Sequence, residues 1–309
     1  MAAKNFVYLG NRITSMYHLI MRSILSTILG SMALAASISP AMGSKNITEC
    51  KPIKTDSQSV ANISSLFDSL RNSHNDSVSF AINDTLKNKI TILLNNAESF
   101  DNQLSTLNNL GKCYSDDHLI RIYSWAFPLS DKTYHYECFI QYKSDKQVYL
   151  YPLTCKNEAY QPQQNGSIDP CANWYGALYY KAVFTRQKKA KCYTLLGWAG
   201  NDATSDYKII ETLWIDAKGK LTMGGKNIFD NNGVTSTRIL LKYSNDAKVG
   251  LDFQDSNTRI VFDHLVPSEP TYKGIYSYYG PDFTYDGYEY LNKKGIWESV
   301  ENIDAKNKE

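Results

Sequence analysis

Residues 271–290 of this 309-residue chain gather an unusual set of side chains. Tyr272, Tyr276, Tyr278, Tyr279, Phe283, Tyr285, Tyr288 and Tyr290 crowd around Gly274, Gly280, Pro281 and Gly287, with Asp282, Asp286 and Glu289 among them. Flat aromatic faces stack on the C–H surfaces of sugars, and carboxylates accept hydrogen bonds from sugar hydroxyls. The expected ligand-binding set is therefore Tyr276, Tyr278, Tyr279, Asp282, Tyr285, Asp286 and Tyr288. The plainer alternative is a β-hairpin whose tyrosines line a core and its rim. Two of these acids would also supply a glycosidase pair, which needs carboxylates about 5–10 Å apart, one of them with a raised pKa.

Other polar groups are less distinctive. Asp202 and Asp206 offer oxygen ligands for calcium, but their spacing misses the EF-hand loop, and a polar turn is the simpler reading. His264 shares a strand face with Ile260 and Phe262, as a hydrogen-bonded core histidine would, and Asp263 points the other way. His118 and His135 are similarly isolated. No nucleophile elbow, zinc-protease helix, phosphate loop or dinucleotide fingerprint occurs, and no cofactor is implied. The absence of any C-x-x-C pair argues against a metal site. Net charge is +2 with both signs interspersed, which does not suit a nucleic-acid partner.

The elements that position these residues change period once. Val60, Ile63, Phe67 and Leu70 recur at helical spacing, as do Ile82, Leu86, Ile90, Leu93, Leu94 and Ala97, around an Asn83-Asp84 start signal. A third short helix is expected through Leu104, Leu107 and Leu110. From Asp117 onward the period becomes two. On one strand Tyr134, Tyr136, Cys138, Ile140 and Tyr142 alternate with His135, Glu137, Gln141 and Lys143, which predicts one covered and one wet face. About eleven strands joined by short turns are predicted, hence antiparallel pairing. The fold class is mainly β, an antiparallel meander closing as a barrel, sandwich or small propeller, preceded by a short helical segment. The boundaries read 44–112 for the helical segment and 113–309 for the β domain.

Ahead of both, Arg22, the apolar stretch 24–38 and Ala41-Met42-Gly43 read as a secretory signal peptide ending at residue 43, with Met21 as the start and 1–20 as an extension. The stretch falls short of the roughly 20 mostly apolar residues of a membrane span, so no transmembrane segment is expected in the mature chain. Export gives meaning to the six cysteines: Cys50, Cys113, Cys138, Cys155, Cys171 and Cys192 would pair in an oxidising compartment, with Cys138 and Cys155, on neighbouring predicted strands, the first candidates.

Five segments carry a family likeness: Arg121-Ile-Tyr-Ser-Trp125, Trp174-Tyr-Gly-Ala-Leu-Tyr-Tyr180, Tyr193-Thr-Leu-Leu-Gly-Trp198, Val261-Phe-Asp-His-Leu265 and Tyr279-Gly-Pro-Asp-Phe283. Over residues 117–307 the chain resembles uncharacterised secreted β-rich proteins of Bacteroidetes-type bacteria, a group with no established activity and therefore no transferable catalytic residue. The resemblance implies a Gram-negative envelope setting, in the periplasm or on the outer surface. The expectation is a non-enzymatic envelope protein that binds a ligand or partner, either an envelope glycan or another envelope protein. The alternatives are a glycan-acting hydrolase using Asp or Glu, and a scaffold subunit of an envelope assembly docking through residues 60–110.

Overall fold

A computed structural model describes residues 57–303 apart from 103, 105, 146, 156–161 and 189. The expected signal segment, the Met21 start and Cys50 lie outside the described residues. Helix α1 (Ser57–Asn72) buries Ile63, Phe67 and Leu70, and α2 (Asp76–Asn95) buries Leu86, Ile90 and Leu94, each at spacings of three or four. Each of these side chains contributes roughly 2 kcal/mol on leaving water. The start of α2 is Asn75, whose side-chain oxygen accepts from Val78 N at 3.1 Å, not the expected Asn83-Asp84. Among the described residues, no helix forms through Leu104, Leu107 and Leu110. Leu104 takes a left-handed φ of 46°, and Lys112 Nζ donates to the carbonyls of Leu104 and Leu107 at 2.8 and 3.0 Å. Leu104, Leu107 and Leu110 are buried all the same.

Three sheets follow among the described residues. The first holds β1 (Gly111–Tyr114), β2 (Ile120–Pro128), β3 (Tyr134–Ser144) and β4 (Gln147–Leu153) in chain order, all antiparallel. A one-turn α3 (Pro170–Asn173) leads to the second sheet. It comprises β5 (Leu178–Thr185), β6 (Lys191–Gly200), β7 (Ser205–Ile215) and β11 (Ile239–Ser244) in the order β11-β7-β6-β5, with β8 (Leu221–Met223) added on β7. The third is built from β9 (Phe229–Asn231), β10 (Val234–Ser236), β12 (Leu251–Gln254), β13 (Arg259–Pro267), β14 (Tyr279–Leu291) and β15 (Ile296–Val300). Its order is β10-β9-β15-β14-β13-β12, with β15 parallel to β9. The expected strands are all present, and β1, β8, β9 and β10, each of three or four residues, are additional.

No barrel closes. The sheets stack, with the helices on the outer face of the first. Tyr123, Trp125, Phe127 and Phe139 meet α1 and α2, with Phe67 edge-on to Trp125 at 5.8 Å. Ile122, Tyr136, Cys138 and Ile140 on the opposite face pack against Tyr179, Tyr193, Leu195 and Leu213 of the second sheet. Leu196, Ile210 and Trp214 on its far face pack against Phe229, Phe253, Ile260 and Trp297 of the third. Both faces of the first and second sheets are therefore covered, which explains why strands such as β6 lack polar alternation. Among the described residues, no helix is long and apolar enough to cross a membrane.

The expected wet face of β3 is in fact buried beneath α2. Glu137 and Gln141 are 4% and 0% exposed. Glu137 accepts from Asn83 Nδ2 at 2.9 Å and pairs with Lys87 Nζ at 2.8 Å and His135 Nε2 at 3.2 Å. Trp125 Nε1 donates to Asn83 Oδ1 at 2.8 Å, and Gln141 Nε2 to the carbonyl of Leu94 at 2.8 Å. Polarity on this face is thus a docking code for the helix. Burial alone would raise the Glu137 pKa, but the bonds from His135, Lys87 and Asn83 outweigh it and hold the carboxyl below its ordinary value.

No disulfide joins the described cysteines, and the Cys138–Cys155 pairing is corrected. Cys138 stands opposite Leu153, so Cys155 is a diagonal neighbour. The bridge of Cys155 with Trp174 takes it off the β4 ladder that faces Cys138. Cys155 Sγ instead contacts the carbonyl of Tyr136 at 3.7 Å.

Replacing Glu137 with Ala strands the groups that converge on it and is expected to cost about 3–5 kcal/mol by urea denaturation at pH 7. Because the folded pKa is depressed, this stabilisation is complete above the ordinary value of 4.5 and fades as pH falls through the lower folded value. That acid-side slope should vanish in Glu137→Gln.

Candidate functional site

The chain between β13 and β14 rises as an arch beside β11, the edge strand of the second sheet, through short 3-10 turns at Pro270–Tyr272 and Tyr276–Tyr278. Within it the Tyr272 and Tyr278 rings stack face to face, 4.1 Å apart and 12° from parallel. Tyr276 leans on Tyr279 at 4.9 Å, and Tyr279 OH accepts from Gly274 N at 2.9 Å. Gly274 has a φ of 87°, which a side chain would strain. Lys242 Nζ, from β11, sits 5.2 Å from the Tyr276 ring centre and 5.5 Å from that of Tyr207. Nine large hydrophobics are exposed among the described residues, and four of them, Ile275, Tyr276, Tyr278 and Phe283, fall within nine positions. Such crowding of exposed apolar side chains marks a contact surface.

A cleft of about 460 Å³ opens beside the arch, lined by residues that include Pro128, Lys132, Tyr134, Asp202, Asp206, Asn245 and Asp246. Lys242 links the two features, since its Nζ also lies 3.8 Å from Asp202 Oδ2. The Tyr134 and Trp198 rings meet edge-on at 5.5 Å, and Trp198 Nε1 donates to Asp206 Oδ2 at 3.2 Å. Burial raises the Asp206 pKa above its ordinary value. It also works against ionisation of Asp202, but hydrogen bonds from Thr204 and Ser205 prevail and lower that carboxyl. Among the described residues, no grouping of three His, Cys, Asp or Glu has the geometry to hold a metal.

Where β13 meets β14 the register slips. Asp263 faces Tyr285 and Leu265 faces Pro281, so Asp282, Phe283 and Thr284 stand opposite His264 alone. His264 Nδ1 donates to Asp286 Oδ2 at 2.5 Å. Asp282 Oδ1 accepts from Thr284 N and Oγ1 at 3.0 and 2.7 Å.

The expected binding residues therefore separate. Tyr276, Tyr278 and Tyr279 belong to the arch, while Asp282 and Asp286 belong to the bulge with Tyr285, which is half-buried. Tyr288 is corrected: it is 4% exposed, edge-on to Phe229 at 5.6 Å in the core, and offers nothing to a ligand. The three acids of residues 271–290 also have prior partners. Thr284 holds the Asp282 pKa below its ordinary value, Asp286 bonds His264, and Glu289 takes Arg259 Nε at 3.0 Å. Sequence reasoning missed Lys242 and the pairing of His264 with Asp286, and left Phe283 out of the expected binding set. Their proximity depends on register and on contacts between distant strands.

The hydrogen bond to Asp286 raises the His264 pKa above its ordinary 6.5, with Asp282 and Glu301 adding to it. A raised pKa stabilises the fold fully below the unfolded value, and the contribution is lost as pH rises through the folded one. An NMR titration should place His264 above 6.5 in the native chain and lower it in Asp286→Asn.

Comparison of the chain with known protein families, curated proteins and solved structures finds no match.

Proposed function

We propose that this is an exported protein of a bacterial envelope that binds a glycan without transforming it, using the tyrosine arch as its contact surface. One observation carries the reading: Tyr276 and Tyr278, the latter stacked on the half-buried Tyr272, present exposed rings in the densest run of exposed apolar side chains on the molecule's described part. A ring backed by a second ring is held rigid, so a sugar face stacks on it with little loss of side-chain entropy. Asn245 and Asp246 in the adjoining cleft supply partners for hydroxyls. The signal segment and the likeness to secreted Bacteroidetes-type proteins favour export. The scaffold alternative is weakened because the apolar stripes of α1 and α2 are already engaged by the first sheet.

A second reading, glycan hydrolysis, rests on Asp206 and Asp202. One is raised and the other lowered within a single cleft, the asymmetry that separates a general acid from its partner. Against it, both oxygens of Asp202 are occupied by Thr204 and Ser205.

Calorimetric titration against a panel of envelope and plant polysaccharides tests both. The native chain should bind at least one, and Tyr276→Ala with Tyr278→Ala should weaken that binding about tenfold or more, at roughly 0.5–1.5 kcal/mol per ring. Unchanged affinity in this double variant would refute the arch as the contact surface. Release of reducing ends that Asp206→Asn abolishes would establish hydrolysis instead.

A further inference from the structure

Phe283 breaks two habits of this fold at once. Its side chain is 90% exposed, and its backbone lies at a φ of 71°, a region that bulky residues rarely enter. Strain of this kind persists only where the surroundings enforce it. Asp282 enforces it on one side by accepting both hydrogen bonds from Thr284, and the His264–Asp286 ion pair ties the facing strands together beneath the bulge. None of these contacts covers the ring, so the fold gains no burial from displaying it.

We propose that Phe283 is the anchor of a contact with a protein partner that offers an apolar pocket rimmed by basic residues. Charge selects the partner's rim: Asp282 adjoins Phe283 in the bulge, and with Asp286 and Glu301 it outnumbers the one cation there, His264. The same acids repel an anionic lipid surface, and a single aromatic ring is far less apolar than the acyl chain that by itself binds membranes only marginally. A lone projecting ring without a stacked neighbour suits a pocket, as interface hot spots do. This inference rests on the bulge and not on the arch or the glycan reading.

The test places a photo-crosslinking phenylalanine analogue at position 283 in the cell that produces the chain. Position 234 serves as the control, since Val234 is 71% exposed on β10. The expected result is one discrete protein adduct from 283, absent from 234, whose yield falls about tenfold when Asp282→Lys and Glu301→Lys reverse the rim charge. Purified Phe283→Gly should melt no lower than the native protein and keep any polysaccharide binding that depends on Tyr278. The proposal is overturned if position 283 yields no adduct, the same adducts as 234, a lipid adduct, or a product of twice the chain's mass. An adduct insensitive to charge reversal, or a marked fall in Tm for Phe283→Gly, would overturn it as well. Loss of polysaccharide binding in the tyrosine variants alone leaves this inference standing.

Discussion

Arg238 Nε lies 2.6 Å from Glu211 Oε2, and the two side chains are 1% and 0% exposed. Two ions taken this far out of water cost several kcal/mol each, which hydrogen bonds to their remaining atoms must help to offset. They do so in part, since burial still holds the Glu211 carboxyl above its ordinary pKa. Tyr175 OH donates to Glu211 Oε2 at 2.9 Å, and Thr212 N donates to Oε1 at 2.7 Å. The remaining guanidinium nitrogens reach the carbonyls of Gln163 and Gly166. Tyr175 OH, Tyr179 OH and Trp174 Nε1 extend the chain of bonds behind them. The pair therefore joins the centre of the second sheet, the link between β10 and β11, and the loop that precedes α3. Gly224 belongs to the same constraint, because a Cβ there would stand 2.4 Å from Arg238 Nη2.

Periodicity in the sequence exposed the helices, the long strands and the antiparallel pairing, because each is a local pattern with a local cause. It failed where a distant partner reinterprets that pattern. The alternation of β3 reads as water on one side until α2 is placed over Glu137 and Gln141. Asn83 reads as a helix start until it is seen bonding Trp125 and Glu137 from mid-helix. β9 and β10 are too short to show a period at all. For the site, the aromatic segment was legible as composition. Its division into exposed arch, bulge and buried core was not, because Tyr276 and Tyr288 differ in depth and not in residue type.

The arch joins two roles. β11 is the edge of the second sheet, and an unpaired edge invites pairing with other chains. The 3-10 turn Tyr276–Tyr278 lies against that edge, so the residues that shield it also present the exposed rings. Lys242, on the same edge strand, touches the aromatic surface on one side and the acidic cleft on the other. The proposed contact surface and the edge protection are thus one piece of chain.

β15 lies inside its sheet, parallel to β9 on one side and antiparallel to β14 on the other. Trp297 on this strand is 1% exposed and donates from Nε1 to Thr194 Oγ1 at 3.1 Å, across to the second sheet. This placement sets an order of events. However early the helices and first hairpins form, the third sheet stays split until residues 296–300 slot into the gap, leaving Phe229 and Phe253 without their shared neighbour. Closing so wide a loop is slow compared with local pairing. A ribosome feeding the chain from its N-terminal side would thus release an incomplete core until β15 emerged. Folding of this layer is tied to delivery of residues 296–300.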